Sequence, residues 1–188
     1  MMRLQALVLS LLASTGLANP IRRDVSQPAY TLRVTSPVTT LNNQPVTTSP
    51  YNTTHLGIFP RGGGQPIRFY PVFNPATGLA ELHSLETGHT LAVMGTNGLL
   101  DFVSFENPAA VSVAPGTTLD WTSFRLDQEK KVLRYAGGEG SWVAFPDKGG
   151  NRDGSAGGAW VVKWKGDDAW TTMNYMPVEV VYELVKED

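Results

Sequence analysis

Short apolar or alternating segments, separated by turn-forming residues, constrain the fold of this chain more than any other feature of its sequence. The chain has 188 residues, and its 19 Gly and 13 Pro recur between these segments, for example at 74–78 and 95–98. Gly, Pro and Asn are the residues that tight turns require. No window beyond residue 23 shows a convincing helical period. The pattern therefore predicts an all-β domain, either a barrel or a sandwich.

The candidate strands are short segments that lie between these turn signals. They are 30–35, 56–59, 67–73, 79–85, 90–94, 99–105, 119–126, 131–135, 141–145, 159–164, 170–175 and 178–185. Alternation is clearest at Trp160, Val162 and Trp164, which share one strand face, while Lys163 falls on the other. We therefore expect Trp160 and Trp164 to pack in the core.

About a dozen strands suit a single domain of the β-trefoil type, which uses twelve for its barrel and cap. Residues 82–105 contain a Thr87-Gly88 turn followed by a strand with a leucine, a motif common in trefoil repeats. Residues 124–145 resemble this motif weakly. No third copy is evident. The sequence favours a β-trefoil-like barrel, and a jelly-roll-like sandwich is the alternative.

The N-terminal residues have the organisation of a secretory leader. Arg3 precedes an apolar run at 4–12, and the small residues of a cleavage site end at Ala18. The apolar run is too short to span a bilayer. We therefore predict a signal peptide at 1–18 and a secreted protein.

A dibasic pair follows the leader. Arg22 and Arg23 resemble the sites that kexin-type proteases cut in secretory pathways, which predicts a short pro-segment at 19–23. Residues 24–50 then form an N-terminal segment rich in Thr, Pro and Ser with one strand, and residues 51–188 form the β-domain.

Charge and cysteine content exclude several classes of function. The chain has no cysteine and a formal net charge of −2, and loss of residues 1–23 would remove three arginines and no acid. Thiol catalysis and zinc–thiolate sites are thereby excluded, and an acidic surface predicts no nucleic-acid partner. The charged residues at 186–188 do not fit a glycolipid-anchor signal, so we expect no membrane anchor. Nothing in the sequence indicates the oligomeric state.

The histidines give little indication of catalysis. His83 and His89 flank a turn, where a two-residue loop would place them on opposite faces and a three-residue loop on the same face; His55 lies elsewhere. No nucleophile elbow, metalloprotease motif or phosphate-binding loop occurs. We interpret these residues as surface histidines, and predict no catalytic residue, no metal and no cofactor.

Aromatic residues are concentrated in the last third of the chain, among aspartates. Trp170 stands in a polar run beside Asp167 and Asp168, and Trp142 lies further upstream. Sugars stack their C–H faces on aromatic rings while carboxylates accept bonds from their hydroxyl groups, although large aromatics also fill cores. These four residues are the predicted glycan-binding set. In addition, Asn52 begins the only N-glycosylation triplet, Asn-Thr-Thr.

The chain carries, in order, a strand with a Ser-Pro segment at 31–37, a Gly-aromatic strand at 140–146 and a Trp-Val-Val strand at 160–162. This layout resembles the small secreted cell-wall proteins of filamentous fungi, the mannoprotein PhiA group with its IgE-binding relatives. The resemblance implies a fungal cell-wall protein and brings no catalytic residues. The chain departs from that group in lacking cysteines.

The sequence thus favours a secreted, non-catalytic protein that associates with cell-wall polysaccharide or other extracellular glycans. The alternative is a small secretory-pathway enzyme without a recognisable motif, of the cyclase or isomerase type, acting on a small molecule.

Overall fold

The computed structural model describes residues 27–60, 64–147 and 158–185. Within these ranges the chain forms 15 strands and a single 3-10 turn at Pro108–Ala110, without an α-helix, so the all-β prediction is confirmed. The strands are β1 (Tyr30–Thr35), β2 (Gln44–Pro45), β3 (Thr47–Thr48), β4 (Leu56–Ile58), β5 (Arg68–Phe73), β6 (Ala80–Ser84), β7 (Thr90–Thr96), β8 (Leu99–Phe105), β9 (Thr117–Asp120), β10 (Phe124–Asp127), β11 (Val132–Tyr135), β12 (Gly140–Pro146), β13 (Trp160–Gly166), β14 (Met176–Pro177) and β15 (Glu179–Leu184).

The predicted leader and pro-segment, with Ala18, Arg22 and Arg23, lie outside the described residues. Among the residues that the structure describes, no helix has the length and apolar character needed to cross a membrane.

Six strands close a barrel. β1 pairs with β5, β5 with β6, β6 with β10, β10 with β11, β11 with β15, and β15 returns to β1, always antiparallel. Leu32 pairs with Tyr182, and Leu133 pairs with Val180, and all four side chains are buried. Because the ring is closed, its strands leave no free edge in the barrel.

Three hairpins lie outside the barrel, and each occurs in the sequence between two barrel strands. Hairpin β3–β4 lies between β1 and β5, hairpin β7–β8 between β6 and β10, and hairpin β12–β13 between β11 and β15. β13 pairs with both β4 and β8, which joins the three hairpins into one layer. The short strands β2, β9 and β14 add to β1, β7 and β12.

An aromatic cluster forms much of the core between this layer and the barrel. The ring of Trp142 lies 5.1 Å from that of Phe102 and 5.3 Å from that of Trp164, which in turn lies 5.7 Å from Tyr135. The Trp142 indole nitrogen donates to the Leu133 carbonyl at 2.6 Å. Since each large aromatic buries about 150–250 Å², this packing stabilises a domain that has no disulfide.

Most predicted strands are confirmed, but two predictions are wrong. Residues 119–126 form parts of two strands, because Asp120 accepts hydrogen bonds from the backbone and hydroxyl of Thr122 and turns the chain between β9 and β10. Residues 170–175 form no strand; there the Met173 N–H bonds to the Thr171 hydroxyl in a local turn.

The predicted strand at 30–35 is confirmed as β1, which lies in the barrel. The segment 24–50 also contributes β2 and β3, which the sequence did not predict, and all three belong to the same sheet as the rest of the domain.

Candidate functional site

Trp170 is displayed at the surface of the loop that follows β13. Its side chain is 82% exposed, and the neighbouring Asp167 and Asp168 are exposed as well. The structure therefore brings three of the four predicted glycan-binding residues into one loop, with an aromatic ring and two carboxylates accessible to a ligand.

The backbone of this loop, which we call the Trp170 loop (residues 166–175), is anchored next to the exposed ring. The Gly166 N–H donates to the Gly98 carbonyl at 2.8 Å, and the Asp167 N–H donates to the Glu139 carbonyl at 3.2 Å. Ala169 is buried, its N–H bonds to the Gly166 carbonyl, and a Cβ atom on Gly98 would lie only 3.2 Å from its methyl group. The β7–β8 turn and the connection between β11 and β12 thus fix the position of the residue before Trp170.

The turn at Gly98 depends on glycine chemistry. Asn97 and Gly98 both have positive φ angles, 52° and 73°, and connect β7 to β8. An Asn-Gly pair of this kind forms the tight turn that matches the twist of a two-stranded hairpin. The β7–β8 turn, which supports the Trp170 loop, can therefore be predicted from the Asn-Gly pair in the sequence.

Trp142 is not part of this surface, and its assignment to glycan binding is wrong. Its side chain is 3% exposed and lies in the aromatic cluster. The physical reason is that β12 is covered on both faces, since Val143, Ala144 and Phe145 are buried too. Its ring cannot stack on a ligand at the surface.

Two exposed apolar side chains, one in the loop and one directly after it, were not predicted. Met173 and Met176 are both exposed, whereas Tyr175 is half-buried and packs on Phe145 with ring centres 5.6 Å apart. The Lys165 ammonium lies 6.0 Å from the Tyr175 ring centre. No sequence pattern distinguished these methionines, because the segment does not alternate.

A pocket of about 430 Å³ adjoins the Trp170 loop. We call it the arginine pocket, and its lining includes Arg125, Arg134, Tyr135, Glu139, Gly140 and Trp164. One of its lining residues, Glu139, is hydrogen-bonded to the loop, since its carbonyl accepts the Asp167 N–H.

The Tyr135 side chain at this pocket is held in its neutral form. Its hydroxyl donates to the Asp120 carboxylate at 3.1 Å. Burial raises the pKa of Tyr135, and the nearby negative charge of Asp120 raises it further. The hydroxyl is therefore a hydrogen-bond donor already used within the protein.

A second pocket, of about 350 Å³, lies beside the predicted glycosylation site and is called the Asn52 pocket. It is lined by Tyr51, Asn52, His55, Asp101 and Lys163, among others. The Lys163 ammonium and the Asp101 carboxylate form an ion pair at 2.8 Å. This pocket collects acid, base and hydroxyl groups in one place.

Asn52 itself is exposed in a turn. Its side-chain oxygen accepts hydrogen bonds from the backbone N–H and the hydroxyl of Thr54, at 3.2 and 2.7 Å. The oxygen is thus held by the third residue of its own triplet, and the residue is accessible at the surface.

The three histidines are not brought together. His83 pairs directly with Thr90, so the adjacent His89 faces the other side of the sheet, while His55 lines the Asn52 pocket. The His83 ring stacks on Tyr70 with centres 5.4 Å apart. No group of three or more metal-type side chains occurs in the described part of the chain.

No protein-family model, curated protein or solved structure matches this chain. Its function is therefore inferred from its own residues.

Proposed function

We propose that the protein is a secreted, non-catalytic protein that associates with cell-wall polysaccharide or other extracellular glycans through the Trp170 loop. The observation that carries the proposal is the 82% exposed Trp170 beside two exposed carboxylates on an anchored backbone. An indole face stacks on the C–H face of a sugar, and Asp167 and Asp168 accept hydrogen bonds from hydroxyl groups. The leader predicted at 1–18 and the resemblance to fungal cell-wall proteins support the same compartment.

The proposed architecture is a β-trefoil. Its support is the closed six-strand barrel together with three hairpins, each placed between consecutive barrel strands. A jelly-roll consists of two packed sheets, and the pairing of β6 with β10 that closes the barrel fits it less well.

The proposal is tested by measuring retention in cell-wall fractions and binding to an array of polysaccharides. We expect the full chain to bind at least one wall glycan and Trp170→Ala to weaken that binding about ten-fold. Tyr51→Ala is the matched control, because Tyr51 is also an exposed aromatic, 66% accessible, but lies at the Asn52 pocket. Absence of both glycan binding and wall retention would contradict the proposal.

Export and glycosylation are tested separately on material from the native host. N-terminal sequencing should find a start after Ala18 or Arg23, and an intact Met1 would contradict the predicted leader. Glycosidase treatment should reduce the mass of the protein, and Asn52→Gln should abolish that change; an unchanged mass on treatment of the original chain would contradict modification at Asn52.

The competing function is a small-molecule enzyme of the cyclase or isomerase type. The Asn52 pocket favours it, because His55 and the Asp101–Lys163 ion pair lie around one concavity of about 350 Å³. Biosynthetic genes beside the coding sequence, and turnover that His55→Ala removes without unfolding the protein, would favour this competitor over glycan association.

A further inference from the structure

We propose that the arginine pocket is a second ligand site, which takes the carboxylate of an acidic sugar. The proposal rests on the proposed function only in treating the ligand as a saccharide. Three features of the pocket support the site: two arginine side chains, an indole N–H that donates to no acceptor within the described residues, and a volume suited to a small molecule.

The two arginines lie directly across from each other, so that their positive charges repel. Arg125 on β10 and Arg134 on β11 are directly opposite in the antiparallel pairing, and both are exposed. Like charges in such cross-strand pairs destabilise a sheet. The ion pairs formed within residues 27–60, 64–147 and 158–185 use Arg33, Arg68 and other cations, but neither Arg125 nor Arg134. An anionic ligand between them would relieve this repulsion.

The charge balance is positive among the side chains that line the pocket, which do not include Asp120, the acceptor of the Tyr135 hydroxyl. Glu139 lines it, and its charge offsets one of the two guanidinium groups. Asp127 lies further along β10; its pKa is lowered chiefly by the Lys130 backbone N–H and in smaller part by the charge of Arg134. Two guanidinium groups against one lining carboxylate suit a ligand with a single negative charge.

The indole N–H of Trp164 supplies a third donor. Its side chain is 4% exposed and lines the pocket, and within the described residues this N–H donates to no acceptor, unlike that of Trp142. A Cβ atom on Gly140 would lie 2.9 Å from the Trp164 nitrogen. Glycine therefore leaves the donor open towards the pocket. Among the described residues only the Thr47 hydroxyl is a fully buried polar side-chain atom without a partner, so the Trp164 N–H is reachable from the pocket and can donate to an oxygen atom of a ligand.

The size and chemistry of the pocket indicate a carboxylate on a sugar rather than a bare ion. Its volume of about 430 Å³ lies in the range of small-molecule sites, about 300–1,000 Å³. The planar guanidinium group matches a carboxylate with two parallel hydrogen bonds. The Tyr135 hydroxyl is already donated to Asp120, so the free donors are the arginines and the indole. A uronic-acid unit meets these requirements.

The test is a titration of the full chain with saccharide and anion probes. Calorimetry measures the affinity, and the NMR signal of the Trp164 indole proton reports binding at the pocket. The probes are glucuronic and galacturonic acid oligosaccharides, the neutral glucose and galactose oligosaccharides, and sodium acetate and sulfate at matched ionic strength. We expect a uronate oligosaccharide to bind and to shift the Trp164 signal. Loss of one charge-assisted contact in Arg125→Gln or Arg134→Gln should weaken it about ten-fold.

Arg33→Gln is the matched control, because Arg33 is paired with Glu183 at 2.9 Å on another side of the barrel. It should leave uronate affinity unchanged. Circular dichroism and thermal melting check that Arg125→Gln and Arg134→Gln remain folded; removal of a like-charge pair should not lower the melting temperature.

Three results would overturn the inference: equal affinity for the neutral sugars, unchanged uronate affinity in both arginine variants, or acetate and sulfate binding as tightly as the uronate. The outcome is separable from that of the proposed function. Arginine-dependent uronate binding with no wall retention and no effect of Trp170→Ala on any polysaccharide would support this pocket while contradicting the Trp170 proposal.

Discussion

Trp164 and Trp170 lie in one stretch of the chain but in opposite environments. Trp164 belongs to β13, is 4% exposed and packs edge-on against both Trp142 and Tyr135. Trp170 lies in the loop that follows and is 82% exposed. The same residue type therefore stabilises the core in one position and leaves a large apolar face in water in the other.

The local sequence explains the difference. Around Trp164 the residues alternate, so that Val162 points inward with it while Lys163 and Lys165 are less buried. Around Trp170 the chain has acids and small residues, and only Ala169 is buried. Burying an aromatic ring there would bring carboxylates towards the core at a cost in desolvation. Trp170 thus contributes little to folding, and its surface remains accessible to a ligand.

The largest expected effect is the loss of stability on removal of the buried tryptophan, Trp164. Trp164→Ala should lower the free energy of unfolding by about 3–5 kcal/mol, since it removes a large buried aromatic and leaves a cavity. Chemical denaturation followed by circular dichroism measures it. A loss below about 1 kcal/mol, the level of an average substitution, would show that the aromatic cluster is not a main source of stability.

A smaller effect concerns the edge of the same cluster. Tyr135→Phe should cost about 1 kcal/mol, because the hydrogen bond to Asp120 is lost. The pKa of Tyr135 is raised in the folded state. The contribution of its neutral side chain to the free energy of unfolding is therefore complete below the unfolded pKa of about 10, and it is lost progressively as the pH rises above that value.

Thermal melting of both proteins between neutral and strongly alkaline pH checks the direction. The original chain should lose stability above about pH 10 more steeply than Tyr135→Phe does. Tyr182, whose pKa is also raised, is present in both proteins and cancels in the difference. Parallel pH profiles would contradict the assigned environment of Tyr135.

The smallest expected effect on stability is that of removing the exposed tryptophan, Trp170. Trp170→Ala should change the free energy of unfolding by no more than about 0.5 kcal/mol, as expected for a surface substitution. Tyr51→Ala is the control for loss of an exposed aromatic ring. If Trp170→Ala destabilised the protein as much as Trp164→Ala, the assignment of core and surface would be wrong.

Much of the fold could be predicted from strand and turn chemistry. The strands at 30–35 and 99–105 have the predicted bounds, and the environments of Trp164 and Trp170 follow from alternation and its absence. The strand predicted at 170–175 does not form. The side-chain turn at Thr171 prevents it there.

The parts that could not be predicted depend on tertiary contacts. Trp142 lies on a strand covered on both faces, so no alternation separates core from surface in β12. The first hairpin has strands of only two and three residues, β3 and β4, which are too short to give a clear pattern in the sequence. The arginine pocket was missed because Arg125 and Arg134 become neighbours only through the register of β10 and β11.

The most direct test of the central claim is sedimentation of the full chain with insoluble wall polysaccharide, comparing the original protein with Trp170→Ala and Tyr51→Ala. Loss of the stacking ring should weaken binding about ten-fold, near the upper end of the 0.5–1.5 kcal/mol that an aromatic contact contributes. Tyr51→Ala should bind as the original chain does. Equal sedimentation of Trp170→Ala and the original protein would contradict the assignment of the Trp170 loop as the glycan-binding surface.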